Sequence, residues 1–289
     1  MIWRTGVAVL LMALAVPAAA QSTFAEQRAL WNRPMEPFRI IGNVYYVGTF
    51  SIGAYLITDS SGHVLIDGGM EESAPVIAAN IARLGFRIRD VRHLLINHAH
   101  WDHAGGLAEL QRLSGAGVVA SAADAADLER GSNADRDDTA RFAPVAVDRH
   151  VGDGDRLRVG ADELVAHLTP GHTRGCTSWT FRAREGDRSF DILFTCSLTV
   201  AGRRLVGPDP YPEAAEDFEA TFARLRAIPA DVFLGFHGEQ FSLEQKNRRR
   251  LAGHALAFVD PAEAGRRIDQ AEAAFRAELA AQRAAGGAD

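Results

Sequence analysis

Short apolar runs, bounded by glycine, proline and polar residues, alternate along the chain with longer stretches in which apolar residues recur every three or four positions. The short runs predict strands, and the periodic stretches predict helices that bury one face. Strands are predicted at 38–48 (two, across a Gly-Asn turn), 51–58, 63–67, 93–96, 118–120, 155–159, 164–168, 176–182, 190–195 and 232–236. Helices are predicted at 73–84, 107–114, 122–129, 213–228, 243–258 and after Pro261, the last one fraying at Gly286-Gly287. The polar stretch 131–141 is predicted to be a loop, either mobile beside a site or simply solvated.

Strands followed by helices occur twice, once in each half of the chain, and no repeat of fixed period is present. This order predicts an α/β fold in which two mixed sheets pack face to face, with helices on the outer faces. We expect residues 21–289 to form one domain of this kind, an αββα sandwich.

The first twenty residues follow another pattern. Arg4 supplies a positive charge, 6–16 is apolar, and three alanines at 18–20 precede Gln21. This is the pattern of a secretory leader cleaved near Ala20, too short and wrongly flanked for a membrane span. We therefore expect the mature protein to be exported, periplasmic in a bacterium, and not attached to a membrane.

The net charge of −6 argues against a nucleic-acid partner, since phosphate binding needs a basic surface. The basic run 246–250 is predicted to be the solvated face of a helix. We expect a monomer that acts on a small molecule.

The strongest chemical signal is a cluster that follows the apolar run 93–96. His98, His100, Asp102 and His103 lie within six positions, where a buried strand turns into a helix. Imidazole and carboxylate ligands together suit zinc, and a catalytic zinc ion takes three protein ligands and keeps one position open. Four ligands divided between two ions leave each ion short of ligands. The cluster therefore predicts two zinc ions whose remaining ligands come from later in the chain.

Two later histidines, His172 and His237, also come just after predicted strands and complete three ligands for each ion. The remaining histidines have no such companions and are predicted to be ordinary surface or packed residues: His63, His93, His150, His167 and His254. Cys176 and Cys196 have two interpretations. An exported pair is expected to be oxidised, but Cys196 is also placed where it could be a metal ligand.

These residues together resemble the metallo-β-lactamase superfamily, whose sign is His98-x-His100-x-Asp102-His103 with later His172 and His237. More narrowly, the chain is similar to class B metallo-β-lactamases of the third subclass. The stretches that carry this narrower resemblance are Trp31-Asn32-x-Pro34, the run from Phe38 to Thr49, Leu65-Ile66-Asp67-Gly68-Gly69-Met70, Gly171-His172-Thr173 and Ser197-Leu198-Thr199.

The resemblance implies one zinc ion on His98, His100 and His172, and a second on Asp102, His103 and His237, with a hydroxide between them. Because His103 serves the second ion, Cys196 is not needed as a ligand, and the resemblance implies a disulfide from Cys176 to Cys196. It also implies that the hydroxyls of Ser197 and Thr199 hold the substrate carboxylate. Arg203 is a further candidate for that contact, although a solvated arginine is an equal alternative.

The implied activity is hydrolysis of the β-lactam amide bond in penicillins, cephalosporins and carbapenems, with Asp102 orienting the attacking hydroxide. Asp67 is expected either to orient a ligand or to serve only as a turn residue. The competing interpretation is another hydrolase of the same fold, a lactonase, thioesterase or phosphodiesterase. Those relatives usually place a metal-bridging aspartate in the region that reads 194–202 here, and this region contains no carboxylate. A zinc-binding protein without turnover is the remaining alternative.

Overall fold

The computed structural model describes residues 24–135 and 140–286. Within these ranges the strands form two sheets, and the predicted α/β sandwich with helices on its outer faces is confirmed. The leader predicted at 1–20 lies outside the described residues. None of the described helices is long and apolar enough to cross a membrane.

The first sheet has its seven strands in sequence order. They are β1 (Phe38–Ile41), β2 (Val44–Tyr46), β3 (Tyr55–Ile57), β4 (His63–Ile66), β5 (Val91–Leu95), β6 (Gly117–Ser121) and β7 (Arg149–Val151). The strands from β1 to β4 are antiparallel to their neighbours, and those from β4 to β7 are parallel. Ligands in such sheets bind beyond the carboxyl ends of the parallel strands, and here the predicted cluster follows β5.

The second sheet contains β8 (Arg156–Val159), β9 (Asp162–Leu168), β10 (Thr177–Glu185), β11 (Arg188–Phe194) and β12 (Val232–Leu234), in the order β12-β11-β10-β9-β8. Its strands are antiparallel except for the parallel pair β11–β12. Aromatic side chains from both sheets, including Tyr55 and Trp179, meet between the layers and are fully buried. Burial of large apolar groups is the main driving force for packing the two sheets together.

The helices are α1 (Phe24–Trp31), α2 (Ala74–Arg83), α3 (Trp101–Ala104), α4 (Leu107–Ser114), α5 (Ala122–Arg130), α6 (Ala214–Arg226), α7 (Leu243–Leu251) and α8 (Glu263–Gly286). Ile77 of α2 and Leu110 of α4 pack in a separate core on the outer face of the first sheet. Phe222 of α6 and Phe275 of α8 pack against each other over the second sheet. The helices therefore close both outer faces.

Several elements differ from the prediction. The sequence pattern did not predict α1, the single turn α3 or the short edge strand β7. The helix predicted at 243–258 ends at Leu251, because Gly253 takes a left-handed conformation (φ 92°) that stops it. The part of the predicted loop 131–141 up to Asp135 is anchored, since Arg174 donates to the Asp135 carboxylate. Residues 136–139 lie outside the described ranges.

Candidate metal centre

The cluster lies on the connection from β5 to α4. This connection packs closely against the loop that follows β4: a Cβ at Gly106 would lie only 2.2 Å from the carbonyl oxygen of Gly68. Glycine is therefore required where the two backbones touch. His100 lies at the N-cap position of the single turn of α3, and Asp102 and His103 lie within that turn. All four predicted ligands of the cluster are buried.

Three imidazole nitrogens form the first group. The Nδ1 atom of His100 lies 3.0 Å from Nε2 of His98 and 3.1 Å from Nε2 of His172. In the rings of His172 and His98, the nitrogen that faces away from the group forms a hydrogen bond. His172 Nδ1 donates to the carbonyl oxygen of Thr199 at 2.7 Å, and His98 Nδ1 donates to the side-chain oxygen of Asn97. These contacts direct the Nε2 lone pairs of both rings into the group.

The second group joins one carboxylate oxygen and two imidazole nitrogens. His237 Nε2 lies 3.3 Å from Asp102 Oδ2 and 3.1 Å from His103 Nε2, and the last two atoms are 3.6 Å apart. His237 is brought to the site by the loop after β12, which pairs with Ile52. His103 Nδ1 donates to the buried carboxylate of Asp67 at 2.6 Å. Asp67 therefore orients a ring of the group and is more than a turn residue.

Both groups suit a metal ion. Ligands about 2.0–2.1 Å from a tetrahedral zinc ion lie about 3.3–3.4 Å from one another, and the ligand atoms here are spaced 3.0–3.6 Å apart. Imidazole lone pairs that face each other at this distance repel unless a cation or proton lies between them. His98, His172 and His103 each donate from the other ring nitrogen to an oxygen atom, as ligand histidines in metal sites usually do. The residues present therefore fit the two predicted zinc ions with three protein ligands each.

The pKa values of the ligand side chains are shifted in different directions. Burial alone would raise the pKa of Asp102, but the imidazoles of His103 and His237 outweigh it, and this pKa lies well below its usual range. Burial and the neighbouring histidines lower the pKa of His98. Burial also opposes the charged form of His103, but the carboxylates of Asp102 and Asp67 outweigh burial and raise its pKa. These shifts favour an ionised Asp102 and a neutral His98, as metal ligands require, whereas His103 favours its protonated form and would release that proton when a metal ion binds.

An open cleft of about 280 Å³ lies over the two groups. Ser197 and Thr199 line it, with their hydroxyl oxygens 3.0 Å apart. The opposite wall is aromatic and was not predicted as part of the site. Trp31 of α1 stacks on Trp101 and contacts the ring of His237 by its edge. No local pattern could show this wall, because it forms only when α1 folds back over α3.

Arg203 does not reach the cleft, contrary to the prediction. Its side chain is buried, and its guanidinium donates to the Asp209 carboxylate and to the carbonyl oxygens of Asp135 and His172. It is therefore neither a substrate contact in the cleft nor a solvated arginine. It holds the backbone that carries His172 in place.

The two cysteines are joined by a disulfide, Cys176–Cys196. It links the start of β10 to the end of β11, beside His98. Both sulfurs lie within 4.8 Å of a ring nitrogen of His98, close enough for all three atoms to bind one metal ion. Sulfurs joined in a disulfide, however, are not thiolate ligands. Of the two interpretations of Cys196, the structure therefore has the disulfide.

Comparison with known proteins places this site in context. A model of the metallo-β-lactamase superfamily matches residues 47–237. Two solved structures align over 89% of this chain and 98% of their own, each at 40% identity: Rm3 metallo-β-lactamase, with a TM-score of 0.86, and BJP-1, a subclass B3 metallo-β-lactamase of Bradyrhizobium japonicum, with a TM-score of 0.84. The hydroxyacylglutathione hydrolase of Rhodospirillum rubrum is 30% identical over 178 residues, which is 62% of this chain and 57% of that protein. The chain thus spans less than two thirds of the length of this curated relative.

Proposed function

Because the chain belongs to the metallo-β-lactamase superfamily, we propose that it is a zinc-dependent β-lactamase similar to those of subclass B3. The reaction is hydrolysis of the strained amide bond in penicillins, cephalosporins and carbapenems. Two zinc ions are proposed, one on each group of three ligands described above. When bound, they supply an activated water and polarise the lactam carbonyl.

The observation that carries this proposal is the end of β11. Other hydrolases of the fold are expected to place a bridging aspartate in this region, which here reads Phe194-Thr195-Cys196-Ser197 and continues without a carboxylate to Gly202. Cys196 lies two residues after the end of β11, and its sulfur is in the disulfide. His103 completes the second group instead of an additional acid or thiolate. This ligand set supports a β-lactamase of the third subclass over the other hydrolases.

The side chains of the cleft have separate roles in the proposed reaction. Asp102 is ionised, so it accepts a hydrogen bond from the attacking water and orients it. Ser197 and Thr199 donate hydroxyl hydrogens to the substrate carboxylate and fix the lactam ring over the site. Trp31 and Trp101 cover the opposite side, where they pack against an apolar substituent and exclude water.

A second candidate is a thioesterase of the hydroxyacylglutathione hydrolase type, which the curated relative favours. The fraction of each known protein that the alignment covers favours the first candidate. The alignment covers 98% of the Rm3 metallo-β-lactamase structure but 57% of the hydrolase from Rhodospirillum rubrum. About two fifths of that hydrolase lies outside the alignment, so the likeness does not extend over the whole of that protein.

A substrate panel on purified, zinc-loaded protein separates the candidates. We expect kcat/KM for a chromogenic cephalosporin, a penicillin and a carbapenem to exceed that for a hydroxyacyl-glutathione thioester and for an acyl-homoserine lactone. Faster turnover of the thioester or the lactone would favour the second class of hydrolase. A protein that binds zinc but turns over none of these compounds would favour a role in zinc binding alone.

Trp31 is predicted to set substrate affinity. Replacing Trp31 with alanine is expected to raise KM for cephalosporins with an aromatic side chain by about two- to tenfold, since an aromatic contact contributes about 0.5–1.5 kcal/mol. The kcat value should change little, because Trp31 does not touch the reacting bond. The matched control is Leu30→Ala, an exposed position on the same helix that does not line the cleft. A fall in kcat with unchanged KM would contradict this role.

We also propose that the protein is exported. The leader pattern at 1–20 supports this, as does the disulfide, since such bonds persist in oxidising compartments. Expression in a bacterium should give periplasmic protein whose mass corresponds to a chain that starts near Gln21. Full-length protein that remains in the cytoplasm would contradict the proposal.

A further inference from the structure

Few charged side chains line the metal cleft. Among the described residues of its wall, none is lysine or arginine, and Asp102 and Glu239 are the two acids. Asp102 belongs to the second group of metal ligands, so its charge faces the ion that this group would hold. Outside the two ligand groups, Glu239 is therefore the one described wall residue with a formal charge that faces a substrate.

The Glu239 carboxylate is exposed and is not neutralised by a neighbouring cation. Glu239 lies in the turn after β12, two residues beyond His237, and its side chain is 68% exposed. One carboxylate oxygen lies 3.8 Å from Nδ1 of His237, which is beyond hydrogen-bond distance. No lysine or arginine in the described ranges forms an ion pair with it. Its negative charge is thus available to a molecule in the cleft.

The position of Glu239 relates its charge to one part of the substrate. Trp31 contacts the ring of His237 by its edge, so Glu239 and the aromatic wall lie beside the same histidine. In the proposed reaction the substrate carboxylate is held by Ser197 and Thr199, and the substituent packs against the aromatic wall. The substituent is therefore the part of the substrate that lies nearest to Glu239.

A carboxylate in this position attracts a cationic substituent and repels an anionic one. Between exposed groups, one such interaction changes an equilibrium by about 1.5- to fivefold. The zinc ions act on the substrate in wild type and in a Glu239 variant alike. A comparison of the two proteins therefore isolates the contribution of the Glu239 charge.

We propose that Glu239 determines specificity in the metal cleft by favouring β-lactams with a cationic substituent over those with an anionic one. This inference rests on the proposed function and names the class of substrate that the site selects.

The test uses three penicillins that differ in one group beside the phenyl ring: hydrogen in benzylpenicillin, ammonium in ampicillin and carboxylate in carbenicillin. At about pH 6 an amine of this kind is protonated. The kcat/KM values for ampicillin and carbenicillin are each divided by that for benzylpenicillin on the same zinc-loaded preparation, which cancels differences in zinc content. We expect Glu239→Gln to lower the ampicillin ratio and to raise the carbenicillin ratio, each by about 1.5- to fivefold.

Two further variants show whether the charge at this position is responsible. Glu239→Lys reverses the charge and should shift both ratios further in the same directions. Glu244→Gln is the matched control, because Glu244 is 65% exposed and does not line the cleft. Its ratios should equal those of wild type. Raising the salt concentration to about 1 M shortens the screening length to about 3 Å, so it should reduce the difference between wild type and Glu239→Gln.

The outcomes separate this inference from the proposed function. If all three penicillins are hydrolysed and Glu239→Gln leaves both ratios unchanged, the role of Glu239 is wrong while the β-lactamase activity stands. Equal shifts in Glu244→Gln would also overturn the role, since the effect would then come from the general surface charge. If wild type hydrolyses none of the three, the proposed function fails and this inference fails with it.

Discussion

Asp102→Asn is expected to lower kcat/KM for every β-lactam by about 10²-fold or more, since misplacing a reacting group by about 1 Å can cost that much. The amide keeps the shape of the side chain but removes the negative charge that faces His103 and His237. It also replaces the ionised acceptor that orients the attacking water. The measurement is steady-state hydrolysis of a chromogenic cephalosporin, combined with the zinc content of the same preparation.

Two comparisons make this result specific. Asp187→Asn, in the exposed turn between β10 and β11, is the matched control and should leave kcat/KM unchanged. Asp67→Asn alters the partner of His103 Nδ1, so it should weaken zinc binding about 10- to 100-fold, as loss of such a partner typically does. An Asp102→Asn enzyme that retains full activity would remove this carboxylate from the mechanism.

Glu263→Gln is expected to lower the free energy of unfolding by about 3–5 kcal/mol, the usual cost of leaving a buried charge without its partner. The Glu263 carboxylate lies 2.5 Å from Nζ of Lys246, and both side chains are buried. The ammonium also donates to the carbonyl oxygen of Phe233 and lies over the rings of Phe241 and Phe258. Chemical denaturation of wild type and variant, followed by circular dichroism, measures the difference.

Two further variants show whether the unpaired charge causes the loss of stability. Glu278→Gln changes an exposed glutamate on the same helix and should alter stability by less than about 0.5 kcal/mol. Replacing both members of the pair, in Lys246→Met with Glu263→Met, removes the charges together and should cost less than Glu263→Gln alone. If the single and double variants were equally unstable, lost packing rather than an unpaired charge would be responsible.

Much of the fold follows from local patterns. Strand positions could be predicted because apolar runs between turn residues identify buried strands without knowledge of their partners. The helix α1 could not, since it has no buried residue and therefore no apolar face to reveal it. The end of α7 was missed for a different reason. The apolar residues Ala255, Leu256 and Phe258 continue past Gly253, and only the backbone conformation of that glycine shows where the helix stops.

Local sequence likewise predicts some residues of the site and not others. The spacing of His98, His100, Asp102 and His103 is local, so it could be predicted from the sequence, and the structure brings His172 and His237 to the same two groups. Residues whose role depends on distant partners were not predictable. Lys246 was expected on a solvated helix face together with its arginine neighbours. That prediction is wrong for Lys246, which is buried and forms an ion pair with the buried carboxylate of Glu263.

Zinc titration tests the central claim most directly. Metal-free protein is mixed with increasing amounts of zinc, and both bound metal and hydrolysis of a chromogenic cephalosporin are measured at each step. If the two groups of ligands form a hydrolytic site for β-lactams, activity is absent without metal and rises to a plateau as the chain takes up two zinc ions. A folded protein that binds its full complement of zinc and leaves the lactam ring intact would contradict the account.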